Sequence, residues 1–275
     1  MAIKDYLIIM RPLNAVMSAI GVLIGFFVGI GYYDITLNAL IAMVSVVLIS
    51  GAGQAVNDYF DYDIDKKMKS KRPVASGKIS KENAHYFAIS LFVIGTLITL
   101  FVNLYVFGIA LAMSVLFYAY SAFIQKSKYI GNTAVAFGTA MTFVFGGAVA
   151  MNFTISGMLA IPAFFANLGR EVSKDIEDMA KDKGVKQTLP MLISPQNAGY
   201  MSFIWAMFAI GAGYLVTYML GTLYALFYVI SIPIFAYAGI TAITGKPSKS
   251  QKFYKIAMLI ILIGFLLGNI TFGQI

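Results

Sequence analysis

Most of the carboxylates in this 275-residue chain stand in two runs, Asn57-Asp58-Tyr-Phe-Asp61-Tyr-Asp63-Ile-Asp65 and Asp175-Ile-Glu177-Asp178-Met-Ala-Lys-Asp182. In each run three aspartates are spaced i, i+3 and i+7, which on a helix sets their carboxylates on one face over two turns. A constant offset of 117 residues carries Asp58, Asp61 and Asp65 onto Asp175, Asp178 and Asp182, Lys66 and Lys69 onto Lys183 and Lys186, and Pro73 onto Pro190. The runs read as two copies of one device. Carboxylates stacked towards a helix C-terminus repel one another and oppose the macrodipole, so something cationic must compensate them. A hard divalent ion does so economically, because Mg2+ takes oxygen ligands from one or two carboxylates and completes its shell with substrate phosphates.

Basic residues surround both runs: Lys66, Lys67, Lys69, Lys71 and Arg72 after the first, Lys174, Lys181, Lys183 and Lys186 around the second, and Lys126 with Lys128 between. Carboxylates, Mg2+ and cations together fit a diphosphate, whose oxygens the metal bridges and the guanidinium and ammonium groups share. Arg72 stands out because it precedes Pro73 in Lys71-Arg72-Pro-Val-Ala-Ser-Gly77, a turn able to fix a bidentate guanidinium. The alternative is a solvated, lysine-neutralised helix end. One run fits that description, but two runs with matched spacing fit it poorly.

The elements that carry these runs follow from composition. The chain is 60% apolar and 12% charged with a mean hydropathy of +0.81, against about 45–50% and about 25% for soluble domains. It is therefore read as a polytopic membrane protein. No cysteine and a single histidine, His85, leave no thiolate or His-rich metal site and no Cys/His nucleophile pair. The net charge of +8 is attributed to membrane topology rather than to a nucleic-acid partner.

Stretches without charge run over 12–33, 35–57, 83–125, 129–169, 187–245 and 256–275, with lengths of 22, 23, 43, 41, 59 and 20 residues. A crossing needs about 20 apolar residues, so these hold one, one, two, two, two and one crossings. The long stretches divide near Asn103, near Asn152–Ser156 and near Gly221. The alternation of a β-barrel strand is missing, and the expected fold is all-α, with nine transmembrane helices around a central apolar chamber. On this count all 20 basic residues fall on one side, and only Asp34 of the 12 acidic residues lies on the other. That segregation places the N-terminus in the cytoplasm, the C-terminus outside and both carboxylate runs at the cytoplasmic rim. The first apolar run is too long, and followed by too many crossings, to be a cleaved signal.

With Asn57-Asp58-x-x-Asp61-x-x-x-Asp65, then Arg72-Pro73, and a second aspartate motif ending the sixth crossing, the chain resembles the UbiA superfamily of intramembrane prenyltransferases. The resemblance spans the whole of residues 1–275 as a single domain. It includes Arg11-Pro12-x-Asn14 entering the first crossing, Gly131-Asn132 entering the fifth, and Gly184-Val-Lys186-Gln-Thr-Leu-Pro190 after the second motif. It implies that Asn57, Asp61, Asp175 and Asp178 are ligands of two Mg2+ ions bridging a prenyl diphosphate, with Asp58, Asp65 and Asp182 completing the motifs. It implies catalytic roles for Asp61, Asp175, Arg72 and Lys126. Asn14, Arg72, Tyr120 and a lysine of the loop after the fourth crossing would contact substrate. The spacing from Tyr118 and Tyr120 leaves Lys126 and Lys128 both candidates.

The chemistry that the resemblance implies is ionisation of an allylic diphosphate, with the leaving group stabilised by Mg2+ and Arg72 and the carbocation kept from water in an apolar chamber. Tyr118, Tyr120, Phe137, Phe143, Phe164 and Phe165 are candidates to face the cation, or they pack helices and meet lipid. Gly21, Gly25, Gly29, Gly146 and Gly147 either make room for an isoprenoid tail or are helix contacts. Asp5-Tyr6-Leu-Ile-Ile-Met-Arg11-Pro12-Leu-Asn14 and Lys71-Arg72-Pro-Val-Ala-Ser-Gly-Lys-Ile-Ser80 look most like the archaeal ether-lipid branch. There a geranylgeranyl group passes from geranylgeranyl diphosphate to the free hydroxyl of geranylgeranylglyceryl phosphate, a lipid-like phosphate acceptor. Other branches prenylate 4-hydroxybenzoate, dihydroxynaphthoate, haem or chlorophyllide. A secondary transporter is the rival of another class, although its coupling carboxylates would lie near the midplane rather than at one rim.

Overall fold

A computed structural model describes residues 3–124, 130–182, 184 and 187–272. The described residues contain helices and turns, with no strand among them. The chain forms two compact units, Met1–Leu23 with Ile35–Gln125, and Ile24–Asp34 with Lys126–Ile275.

The first unit holds α1 (Ile3–Ile9), the start of α2 (Pro12–Ile30), α3 (Leu37–Phe60), the short α4 (Tyr62–Lys67), α5 (Lys81–Leu97) and α6 (Leu104–Ala119). A 3-10 turn, Ile98–Phe101, extends α5, and a π-helical turn, Tyr120–Ile124, extends α6. The helix starts carry their own capping chemistry: the side chains of Thr36, Ser80 and Asn103 accept from the backbone N–H three residues on. Pro12 opens α2 where its missing N–H costs nothing. It also denies helical geometry to the residue before it. Arg11 accordingly takes φ 48 between α1 and α2, and its carbonyl receives the N–H groups of Asn14 and Ala15.

The second unit holds the end of α2, then α7 (Ile130–Val149), α8 (Phe153–Asp182), α9 (Leu189–Ile193), α10 (Pro195–Ile243) and α11 (Pro247–Phe272). The division expected near Asn152 falls between α7 and α8. The one expected at Gly221 is a break inside the 49-residue α10, where that glycine adopts φ 70 and ψ −164, a region closed to residues with a Cβ. Seven helices among the described residues are long and apolar enough to cross a membrane, and α10 is counted once among them despite its break. The 30-residue α8 is not among the seven, because charged residues crowd its second half.

Gly25, Gly29 and Gly147 prove to be helix contacts. A Cβ on Gly25 would collide with the carbonyl oxygen of Phe143, one on Gly29 would come within 2.6 Å of the Ala150 Cβ, and one on Gly147 would strike Ser156. Behind α8, four polar side chains with no exposure form a knot. The Ser173 hydroxyl lies 2.9 Å from that of Ser202 on α10 and 2.8 Å from that of Ser250 on α11, while Tyr254 donates to the Ser202 carbonyl at 2.6 Å. Ser173 and Ser202 both donate to the Gly169 carbonyl, and a Cβ at Gly169 would meet the Tyr254 hydroxyl. Interhelical hydrogen bonds of this kind hold membrane helices where hydrophobic burial cannot. They fix the rotation of α8 about its axis, and with it the direction of the second aspartate run.

Gly25→Ala is expected to lower the thermal midpoint in detergent, since overpacking against backbone costs about 1–3 kcal/mol. Gly211→Ala, where a Cβ would meet nothing within 4 Å, should leave it unchanged or raise it.

Candidate active site

The first motif does not continue along one helix. α3 ends at Phe60, Asp61 is the junction, and α4 begins at Tyr62. The aspartates nevertheless share a face, because one guanidinium nitrogen reaches all three: Arg72 Nη1 lies 3.4 Å from Asp58, 3.9 Å from Asp61 and 2.7 Å from Asp65. Asp58 is 3% exposed and accepts a second guanidinium bond from Arg11 Nη2 at 3.1 Å. The compensation demanded by stacked carboxylates is thus partly supplied by two arginines of the chain itself. Asp63 points elsewhere, 3.7 Å from Lys81.

Arg72 is held by the turn expected around Pro73. The Ser76 N–H donates to the Arg72 carbonyl, and Lys78 and Ile79 donate to that of Pro73. All three carboxylate contacts use Nη1, and the side chain remains 40% exposed. Lys66 turns away from the aspartates. It donates to the Tyr62 hydroxyl at 3.0 Å, which pushes the ammonium pKa up. One turn before the aspartates, the buried Oδ1 of Asn57 and Oε1 of Gln54 have no hydrogen-bond partner.

The second motif lies inside a continuous helix. Asp175 is buried at 7% exposure and accepts from Asn132 Nδ2 on α7 at 2.7 Å. Glu177 faces the other way and accepts from Ser248 and Gln251 on α11, so it anchors the helix behind the motif. Asp178 and Asp182 lie partly buried on the Asp175 side. Just before the motif, Arg170 pairs with Glu171 and donates to Asn167 Oδ1 at 3.2 Å, and Lys174 lies 3.5 Å from the other oxygen of Glu171.

Several expected residues are less central. Asn14 is exposed, and it is Arg11 that reaches the first motif. Tyr120 is partly exposed at the start of the π-helical turn. Lys126 and Lys128, with Lys183 and Lys186, lie outside the described residues. Of the aromatic candidates, Phe143 is buried edge-on to Phe265 and Phe165 stacks on Trp205, so these two pack helices. Tyr118 lies 3.3 Å from His85, which stacks on Tyr59 next to the motif. Arg11, Gln54, Asn132 and Glu171 emerge as site residues that spacing alone did not single out. The signal for each was a polar side chain in or beside an apolar stretch.

The sequence model of the UbiA prenyltransferase family matches residues 18–264. The chain belongs to that family. A digeranylgeranylglyceryl phosphate synthase from Methanococcoides burtonii is 37% identical, the match covering 96% of this chain and 99% of that one. A solved structure described as digeranylgeranylglyceryl phosphate synthase in membranes superposes with a TM-score of 0.85 at 31% identity, over 98% of both chains. A UbiA homolog from Archaeoglobus fulgidus, solved with GPP and Mg2+, shares the fold at a TM-score of 0.73 and 18% identity, over 96% of this chain and 99% of that one. The chain is a multi-pass membrane prenyltransferase, which sets the transporter aside.

The Arg11–Asp58 pair should show as coupling. In a double-mutant cycle of Arg11→Gln and Asp58→Asn, followed by thermal denaturation in detergent, the pair is expected to be non-additive by about 1 kcal/mol, because Arg11→Gln takes from the buried Asp58 carboxylate one of its two guanidinium partners.

Proposed function

We propose that this chain transfers a geranylgeranyl group from geranylgeranyl diphosphate to the free hydroxyl of geranylgeranylglyceryl phosphate, a step that builds a membrane ether lipid. The observation that carries the reaction type is the gathering of Asp58, Asp61 and Asp65 around Arg72 beside the unpartnered Asn57 oxygen. Similarity over nearly the full length to relatives named for that product supports the acceptor.

The donor set fits Mg2+. Asn57 and Asp61 in the first motif, and Asp175 and Asp178 in the second, would each hold one ion, with Asp58, Asp65 and Asp182 completing the motifs. Among the described residues no three carboxylate or imidazole groups form a closed cage. Mg2+ ordinarily takes only one or two carboxylates and leaves the remaining positions to phosphate and water. When bound, Mg2+ supplies positive charge where the leaving diphosphate becomes more anionic.

The chain's own residues do the rest. Arg72, already drawn to the motif by its three carboxylates, would offer its free donors to the diphosphate, with Lys126 or Lys128 beside it. Asn132 holds the Asp175 carboxylate in one orientation, which spares reorganisation as charge develops. Asn14 and Tyr120 would contact substrate, and an apolar chamber would keep water from the allylic cation. The chain would act as one catalytic domain with nine crossings, its N-terminus and both motifs on the cytoplasmic side. The break of α10 at Gly221 and the length of α8 support that count, and the one-sided lysines and arginines support the orientation.

Purified protein given geranylgeranyl diphosphate, Mg2+ and either geranylgeranylglyceryl phosphate or 4-hydroxybenzoate should form only the doubly prenylated glyceryl phosphate, identified by mass. A prenylated benzoate would overturn the acceptor. Asp61→Ala and Asp175→Ala should each lower turnover by at least about 100-fold while keeping the wild-type elution profile, and chelation of Mg2+ should abolish it. Turnover that survives chelation would remove the metal.

A further inference from the structure

The two motifs are copies, but the helix turns that lead into them are not. The 117-residue offset maps Asn167, Arg170, Glu171 and Lys174 onto Ser50, Gly53, Gln54 and Asn57, so the first copy carries no charge at these positions. The second copy carries three. Glu171 is 5% exposed and the pairing is shared: Arg170 takes one of its oxygens and Lys174 the other, so two cations hold a single anion and the group keeps a net positive charge. Asn167, itself buried, accepts from the Arg170 guanidinium and fixes its plane.

Asn167, Glu171, Lys174 and Asp178 follow one another at i, i+4, i+7 and i+11, and Asp175 stands four residues after Glu171. Asn167, Glu171 and Lys174 therefore lie on the motif face of α8, about one turn further into the helix, while Arg170 stands to one side of that face and is drawn onto it by Glu171 and Asn167. An ion pair contributes little stability that apolar packing could not supply. Charge placed within a membrane helix marks a binding function. A device for the diphosphate occurs in both copies, whereas this cation pair occurs in one, so it serves the other substrate.

We infer that Arg170 and Lys174 bind the anionic head of the acceptor, a phosphate monoester, with Glu171 standing in for that phosphate in the free protein. This rests on the function proposed above and names the side chains that choose its acceptor. Two cations sharing one carboxylate can turn to a dianionic phosphate, for which a planar guanidinium is well suited. The acceptor hydroxyl would then be presented from the side of the motif away from the helix end.

The test compares geranylgeranylglyceryl phosphate with geranylgeranylglycerol, its uncharged counterpart, in detergent with Mg2+ and geranylgeranyl diphosphate. The wild type should favour the phosphate. Lys174→Gln, at a side chain 49% exposed, and the balanced pair Arg170→Gln/Glu171→Gln should each cut that preference in kcat/KM by about 10- to 100-fold. The acceptor KM should rise, and the KM for geranylgeranyl diphosphate should stay within about twofold of wild type. Lys174→Arg should restore the preference. An equal rise in the donor KM would give the cations to the diphosphate and overturn the inference, as would loss of thermal stability with both KM values unchanged. Competition by added anionic phospholipid would assign the pair to bilayer headgroups and also overturn it. A wild type that makes no product from geranylgeranylglyceryl phosphate would remove the functional reading itself, and the inference with it.

Discussion

Anionic side chains gathered at the end of a membrane helix must be compensated, and much of this structure is the means of compensation. Like charges repel, the helix C-terminus adds its own negative end, and a low-dielectric surround enlarges both effects. At the first motif, Arg11 and Arg72 supply the counter-charge from opposite sides in sequence. Each requires a special backbone: the left-handed residue before Pro12 for one and the closed turn around Pro73 for the other. At the second motif, Asn132 supplies a neutral donor and the knot behind α8 supplies the aim. Arginine pairs hold the first motif in place, beside the buried, unpartnered Asn57 and Gln54 oxygens.

The relation between the motifs is chemical rather than geometric. Both keep three aspartates at i, i+3 and i+7, yet Asp61 ends a helix while Asp178 sits inside one. A junction lets Asp65 fold back to Arg72. A continuous helix instead needs an external anchor, which Glu177 provides by accepting from Ser248 and Gln251. Glu177 has an aromatic counterpart, Phe60, in the first motif, and there the neighbouring contact is a ring packing of Phe60 with Tyr118.

What could be read in advance was whatever is local. The breaks at Asn103 and Gly221 announce themselves because a capping amide or a glycine acts within a few residues. The carboxylate face of the second motif follows from helical spacing alone, whereas that of the first is completed across a helix junction at Asp61 that spacing does not show. The Arg11–Asp58 pair bridges 47 residues, and no periodicity predicts which of many cations reaches a given aspartate. The serines gave no signal of the Ser173–Ser202–Ser250 knot, because a serine can as readily bond back to its own helix. Gly25 and Gly147 were ambiguous for a similar reason: a small residue opens space, and only the neighbouring backbone tells whether a helix or a substrate fills it. Glu171 was overlooked because its partners, Arg170 and Lys174, made the region look like an ordinary charged rim.

The central claim is that the aspartate motifs bind a prenyl diphosphate through Mg2+, and calorimetric titration with a non-ionising thiolodiphosphate analogue of geranylgeranyl diphosphate tests it most directly. Binding should require Mg2+, and Asp61→Asn or Asp178→Asn should weaken it by at least about tenfold in protein that remains folded. Analogue binding of equal strength without metal, or with both aspartates replaced, would contradict the account.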